Sequence, residues 1–146
     1  MYHLFSEQAK LSAMPEALHV TKTGGVVFVA YCVNDASVLD YWFKRGHIFE
    51  LIEKGMLETE HFNAFPRESD VFELYRKEDI DDLMARFAAK QLHYVATDLD
   101  TNHMRDAFDA LDDATFALYP KEHLAICARP DMMGLTHHRL DIFRKG

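Results

Sequence analysis

The chain has 146 residues, 49% of them hydrophobic and 27% charged, which is enough apolar material for one globular core and excludes a disordered chain. Its formal net charge of -8, with no basic block, makes a nucleic-acid backbone or an anionic membrane surface an unfavourable partner, so a small ligand or another protein is expected. Cys32 and Cys127 lack Cys-x-x-Cys spacing, which argues against a disulfide framework or a zinc site and fits a reducing cytoplasm; Met1 to Phe5 has none of the features of a signal peptide.

In chain order, Ser6 is a suitable N-cap for a helix that ends at Lys22 and places Leu11, Leu18 and Val20 among its apolar positions. Pro15 predicts either a kink or a fresh start capped by Ser12. Gly24-Gly25 supplies a left-handed stop, and Val26 to Val33 reads as a strand buried on both faces, too short to cross a membrane. Asn34 and Asp35 cap a strongly apolar helical region running to Leu57 and broken at Gly46 and Gly55, which predicts two short helices.

His61 to Asp70 reads as loop, and Val71 to Tyr75 as a short extended segment. Ile80, Leu83, Met84 and Phe87 follow the i, i+3, i+4, i+7 spacing of an amphipathic helix over Lys77 to Lys90. Gln91 to Thr97 is a second strand. Helical patterns run from Met104 to Leu111 and from Ala114 to Ala128, joined at Asp112-Asp113. His138 to Arg144 alternates as a closing strand, with Leu140 and Ile142 on one face. No repeat or linker divides the chain, so residues 1–146 form one domain. The alternation of strands and helices predicts an α/β fold with a small mixed sheet of about three strands and helices over both faces.

The run Lys22-Thr23-Gly24-Gly25 followed by a Val- and Phe-rich strand ending in Ala30-Tyr31 resembles the passage into the fifth strand of class I S-adenosylmethionine-dependent methyltransferases, with Thr23 where that family usually has proline. Met1 to Phe5 is similar to the segment just beyond the family's fourth strand. Leu140 to Arg144 is placed like its terminal strand, which lies antiparallel beside the fifth. The resemblance covers essentially the whole chain and implies a partial Rossmann-like fold, the C-terminal half of such an enzyme. The Gly-rich cofactor loop and the acidic residue that grips the ribose are missing, so it implies that S-adenosylmethionine serves the whole enzyme and is not held by this chain alone.

Ligands of open α/β sheets bind beyond the carboxyl ends of the strands. The resemblance therefore implies a catalytic pair, Tyr2 and His3, and a small-molecule acceptor contacted by Tyr31, Asn34 and Asp35, by Trp42 in the insertion after the first strand, and by His103, His123 and Arg129. Each has a structural reading beside it. Tyr2-His3 can be a frayed terminus, Asn34-Asp35 a helix cap, Asp98-Leu99-Asp100 a turn and cap, and Trp42 core packing. His137-His138 suggests a metal, but adjacent residues of a strand point to opposite faces, so no metal site is expected.

Two other readings stay open. Removing a neighbouring strand leaves Val26 to Val33 with a bare apolar edge, which predicts a self-associating binding domain, a homodimer joined through that strand. The chain can also be a small α+β enzyme with His-Asp chemistry of its own.

Overall fold

A computed structural model describes residues 1–146, apart from the side chain of Leu135. Helix α1 (Glu7–Val20) opens with the Ser6 hydroxyl accepting the Ala9 amide at 3.1 Å. It runs through Pro15 without a second start, and the Ser12 hydroxyl donates to the Gln8 carbonyl instead of capping anything. Pro15 lies on the exposed side, where water can meet the carbonyl that the proline leaves without a donor. Gly24 takes φ +74°, and the Gly25 amide closes the turn onto the Lys22 carbonyl at 2.8 Å. A Cβ at Gly25 would lie 2.8 Å from that carbonyl oxygen and from Thr21 Cγ2, so the doubled glycine is needed for both conformation and space.

The chain continues through β1 (Val26–Val33) into α2 (Asn34–Ser37), which passes directly into a π-helical segment (Val38–Phe43). After α3 (Ile48–Glu53) comes a two-residue strand, β2 (Leu74–Tyr75), then α4 (Lys77–Met84) and β3 (Ala89–Ala96). Three short helices follow, α5 (Arg105–Asp109), α6 (Asp113–Phe116) and α7 (Tyr119–Ile126). A 3-10 turn (Pro130–Leu135) leads into β4 (His138–Lys145).

The fold is α/β with an open, mixed, four-stranded sheet in the order β2-β1-β4-β3. The short β2 raises the strand number above the three expected, since a two-residue bridge carries no sequence period of its own. β1 runs parallel to β2 and antiparallel to β4, which is also antiparallel to β3, so β4 lies between two strands that are parallel to each other. Helix α4 ends before the expected Lys90 because Ala89 already pairs with Lys145 in the sheet. The single helix expected over Ala114 to Ala128 is instead α6 and α7, because Pro120 sits at the start of α7, where its missing amide costs nothing.

One sheet face packs on α1 and α4. Val27, Val29, Tyr31 and Phe143 meet Met14, Leu18, Ile80 and Leu83 there, and each buried aliphatic chain contributes about 1.5–3 kcal/mol. Asp141 is fully buried in this layer, accepting from the Tyr31 hydroxyl at 2.9 Å and from Gln91, with Lys77 Nζ 3.7 Å away. Burial raises its carboxyl above the usual range despite the Lys77 charge.

The other face corrects the expectation that β1 is buried on both sides and that helices cover the whole sheet. Only its carboxyl-end half is covered. Toward the start of β1, Val26 is 41% and Phe28 60% exposed. Their cross-strand partners, Arg144 and Ile142, share this face. The outer edge of β1 is also less bare than expected, since β2 pairs with Cys32 and Val33, and the N-terminal ammonium donates to the Ala30 carbonyl at 2.8 Å.

Candidate functional site

The register of β1 and β4 places Cys32 directly opposite His138, on the face where the carboxyl ends are covered. Above them lies a cavity of about 570 Å³. The turn from β1 into the π-helical segment brings Ser37, Tyr41 and Trp42 to it, the α3 region adds Leu51 and Met56, and the segment before β2 closes it with Val71 and Phe72. The floor is Cys32, His137 and His138. A mostly apolar wall with a few convergent polar groups is the usual build of a small-molecule site.

The polar floor is held from below by Asp98, just beyond β3. Its carboxylate accepts from His138 Nδ1 at 2.8 Å, from the amides of His137 and His138 at 3.0 and 3.1 Å, from Asn102 Nδ2 at 2.9 Å and from the Thr136 hydroxyl. Burial alone would raise the Asp98 carboxyl, but the bonds from His138 and Thr136 outweigh it and hold the group below the usual carboxylate range. The next residue, Leu99, is fully buried at φ +41°, a left-handed conformation that costs about 1 kcal/mol or more and is held by packing on Ala96 and Met133.

His138 is pushed up to about 10, first by its hydrogen bond to Asp98 and then by the Cys32 sulfur across the strand pair, so the Asp98–His138 pair is charged at neutral pH. His137 behaves in the opposite way, because burial lowers its pKa and keeps it neutral. Asn102 Nδ2 lies 3.3 Å from His137 Nδ1 and also donates to the Asp98 carboxylate, which fixes the amide orientation. His137 Nδ1 is therefore an acceptor and the proton sits on Nε2. That N–H has no hydrogen-bond partner among the described residues; Asp40 Oδ2 is 3.6 Å away. Asp40 is itself held low by the Lys44 ammonium at 2.8 Å.

The expected site residues divide into two groups. Tyr2 stands edge-on to His138 and Phe72 at ring separations of 5.8 and 5.7 Å, His3 packs on Phe72, and Trp42 lines the cavity. His103 stacks 5.0 Å from His137. These four gather around one place. Tyr31 lies on the opposite sheet face, bonded to Asp141. The Asn34 side chain ties down the loop at Phe62 and Ala64, and Asp35 pairs with Arg76 at 2.9 Å. His123 packs on Tyr119 in α7, and Arg129 pairs with Asp131 at 2.7 Å on the surface.

Cys32, His137 and His138 are functional candidates that sequence reasoning did not place in the site. The expectation that the adjacent histidines diverge is corrected, since His137 precedes β4 and both line the cavity. Among the described residues, no group of three or more His, Cys, Asp or Glu is placed to hold a metal ion. A second, polar cleft of about 540 Å³ between α1 and α4 contains charges that neutralise one another, such as Lys10 and Glu73 at 3.2 Å. Among the described residues, no helix is long and apolar enough to cross a membrane.

No protein-family model matches the chain, and no curated protein matches it at a significant level.

Proposed function

We propose that this chain is the acceptor-side half of a class I S-adenosylmethionine-dependent methyltransferase, and that its apolar cavity receives the body of a small, neutral methyl acceptor. The observation that carries the reading is the strand arrangement, with the terminal strand β4 antiparallel between two mutually parallel strands, the first of which follows Lys22-Thr23-Gly24-Gly25. The cavity at the carboxyl end of β1 supports it, since this is where α/β sheets bind ligands.

The residues present do not fit the nucleoside. None of the glycines lines the cavity, so there is no backbone cradle for a ribose or a sulfonium tail. The contribution of this chain is therefore to bind and orient the acceptor and to exclude water around it. Trp42, Leu51 and Phe72 grip a flat apolar body, and Tyr2 with His3 stands at the rim through Phe72.

The exposed Phe28 and Val26 favour a compatible second reading, in which this sheet face is covered by another polypeptide, a second copy being the simplest. Calorimetric titration of the isolated chain with S-adenosylmethionine tests the main proposal. No saturable heat is expected, and a Kd tighter than about 10 µM overturns the division of labour.

A further inference from the structure

If the cavity is the seat of a flat apolar molecule, as proposed above, the polar atoms left free on its floor decide which molecules are held in register. His138 supplies one of them. Its Nδ1 meets the Asp98 carboxylate at 2.8 Å, and Asp98 is not part of the cavity lining, whereas His138 is. The two nitrogens of an imidazole point in nearly opposite directions, so Nε2 is the one that turns toward the cavity. It has no hydrogen-bond partner among the described residues, and unlike Nε2 of His137 it is not sealed from solvent. Cys32, opposite on β1, offers it only a weakly accepting sulfur.

The His138 ring is fixed before any ligand arrives. Asp98 accepts from Nδ1 and also from the His138 main-chain amide at 3.1 Å, and the Tyr2 ring stands edge-on to the imidazole at 5.8 Å. The side chain is nevertheless 35% exposed, which leaves part of it open to a ligand. A donor already locked in place loses little freedom on binding. The bond to Asp98 keeps the imidazole protonated at neutral pH, so Nε2 carries a hydrogen and its donation is charge-assisted.

The charges around the site select among ligand oxygens. Asp98 already balances the imidazolium, no lysine or arginine lines the cavity, and Asp70 does. A carboxylate or phosphate on the ligand would bring a negative charge that nothing here offsets, whereas a neutral oxygen gains the hydrogen bond without that cost. We infer that His138 Nε2 is the polar anchor of the cavity, donating to the hydroxyl oxygen of a neutral phenol whose aromatic body lies against Trp42 and Phe72. Asp98 is the positioning residue that turns Nε2 toward the ligand, and phenols are the acceptor class that the site selects.

The test dialyses the whole chain to equilibrium at neutral pH against naphthalene, 2-naphthol and 2-naphthoate, with the nitrogen NMR resonances of the histidine rings followed in parallel. Naphthalene is the more hydrophobic of the first two, so burial alone favours it. The anchor reverses that order: 2-naphthol should bind at least about 10-fold more tightly than either of the others, and should shift the His138 Nε2 resonance well beyond the effect of naphthalene. In His138→Gln, which also assigns that resonance by its loss, 2-naphthol affinity should fall about 10-fold while naphthalene affinity stays unchanged. The ligand comparison on the unaltered chain does not depend on how the variant folds. Equal binding of naphthalene and 2-naphthol, an unmoved His138 resonance, or tighter binding of 2-naphthoate overturns the anchor while leaving the cavity reading in place. Binding of none of the three contradicts the cavity reading itself, and the anchor falls with it.

Discussion

Cys32 and His138 face each other across β1 and β4, and Nδ1 of that histidine is bonded to Asp98 at 2.8 Å. Three segments widely separated in the chain meet at this point, so the corner is both a structural joint and the floor of the cavity. Its behaviour with pH and on substitution follows from that double position.

The His138 imidazole is held at about 10 against an ordinary 6.5, so its contribution to stability is complete below about pH 6.5 and is lost as pH rises through about 10. The side chain is 35% exposed, and solvent screening reduces the contribution to about 2 kcal/mol. Urea denaturation of wild type and His138→Gln should therefore converge by about that amount between neutral pH and pH 10. Curves that stay parallel across this range contradict the ion pair.

Asp98→Ala leaves two backbone amides, the Thr136 hydroxyl and Asn102 without their acceptor. A loss of about 3 kcal/mol is expected in thermal unfolding, well above a surface substitution. A change under about 0.5 kcal/mol contradicts the anchoring role.

Tyr31→Phe removes a donor from the fully buried Asp141 carboxylate and should cost about 1.5–3 kcal/mol. Because that hydroxyl lies on the sheet face away from the cavity, ligand affinity at the cavity should not change. Weakened ligand binding in a variant that is still folded would restore Tyr31 to the site.

What the sequence discloses here is local. The Gly24-Gly25 turn, the β1 run and the alternation of β4 are visible because each rests on residues near in the chain, and so is the Ser6 cap. The register that sets Cys32 against His138 depends on residues more than a hundred positions apart and has no local signal. β2 is too short for a period, and Pro120 divides a helical pattern that apolar spacing alone makes continuous. The face of Phe28 was illegible for another reason: an unbroken apolar strand reads alike whether this chain or another one covers it.

If a second copy covers that face, sedimentation should show concentration-dependent association of the wild type. Phe28→Asp should abolish it with little loss of monomer stability, since the side chain is already 60% exposed. A wild type that stays monomeric at every concentration contradicts self-association.

The most direct test of the central claim, that the cavity beyond β1 binds a neutral apolar molecule without holding the nucleoside, is a fluorescence titration of Trp42, the only tryptophan in the chain and part of the cavity wall. A neutral bicyclic aromatic such as 2-naphthol should shift or quench its emission saturably, and S-adenosylmethionine alone should leave it unchanged. Emission indifferent to the aromatic but saturably altered by S-adenosylmethionine would contradict the account.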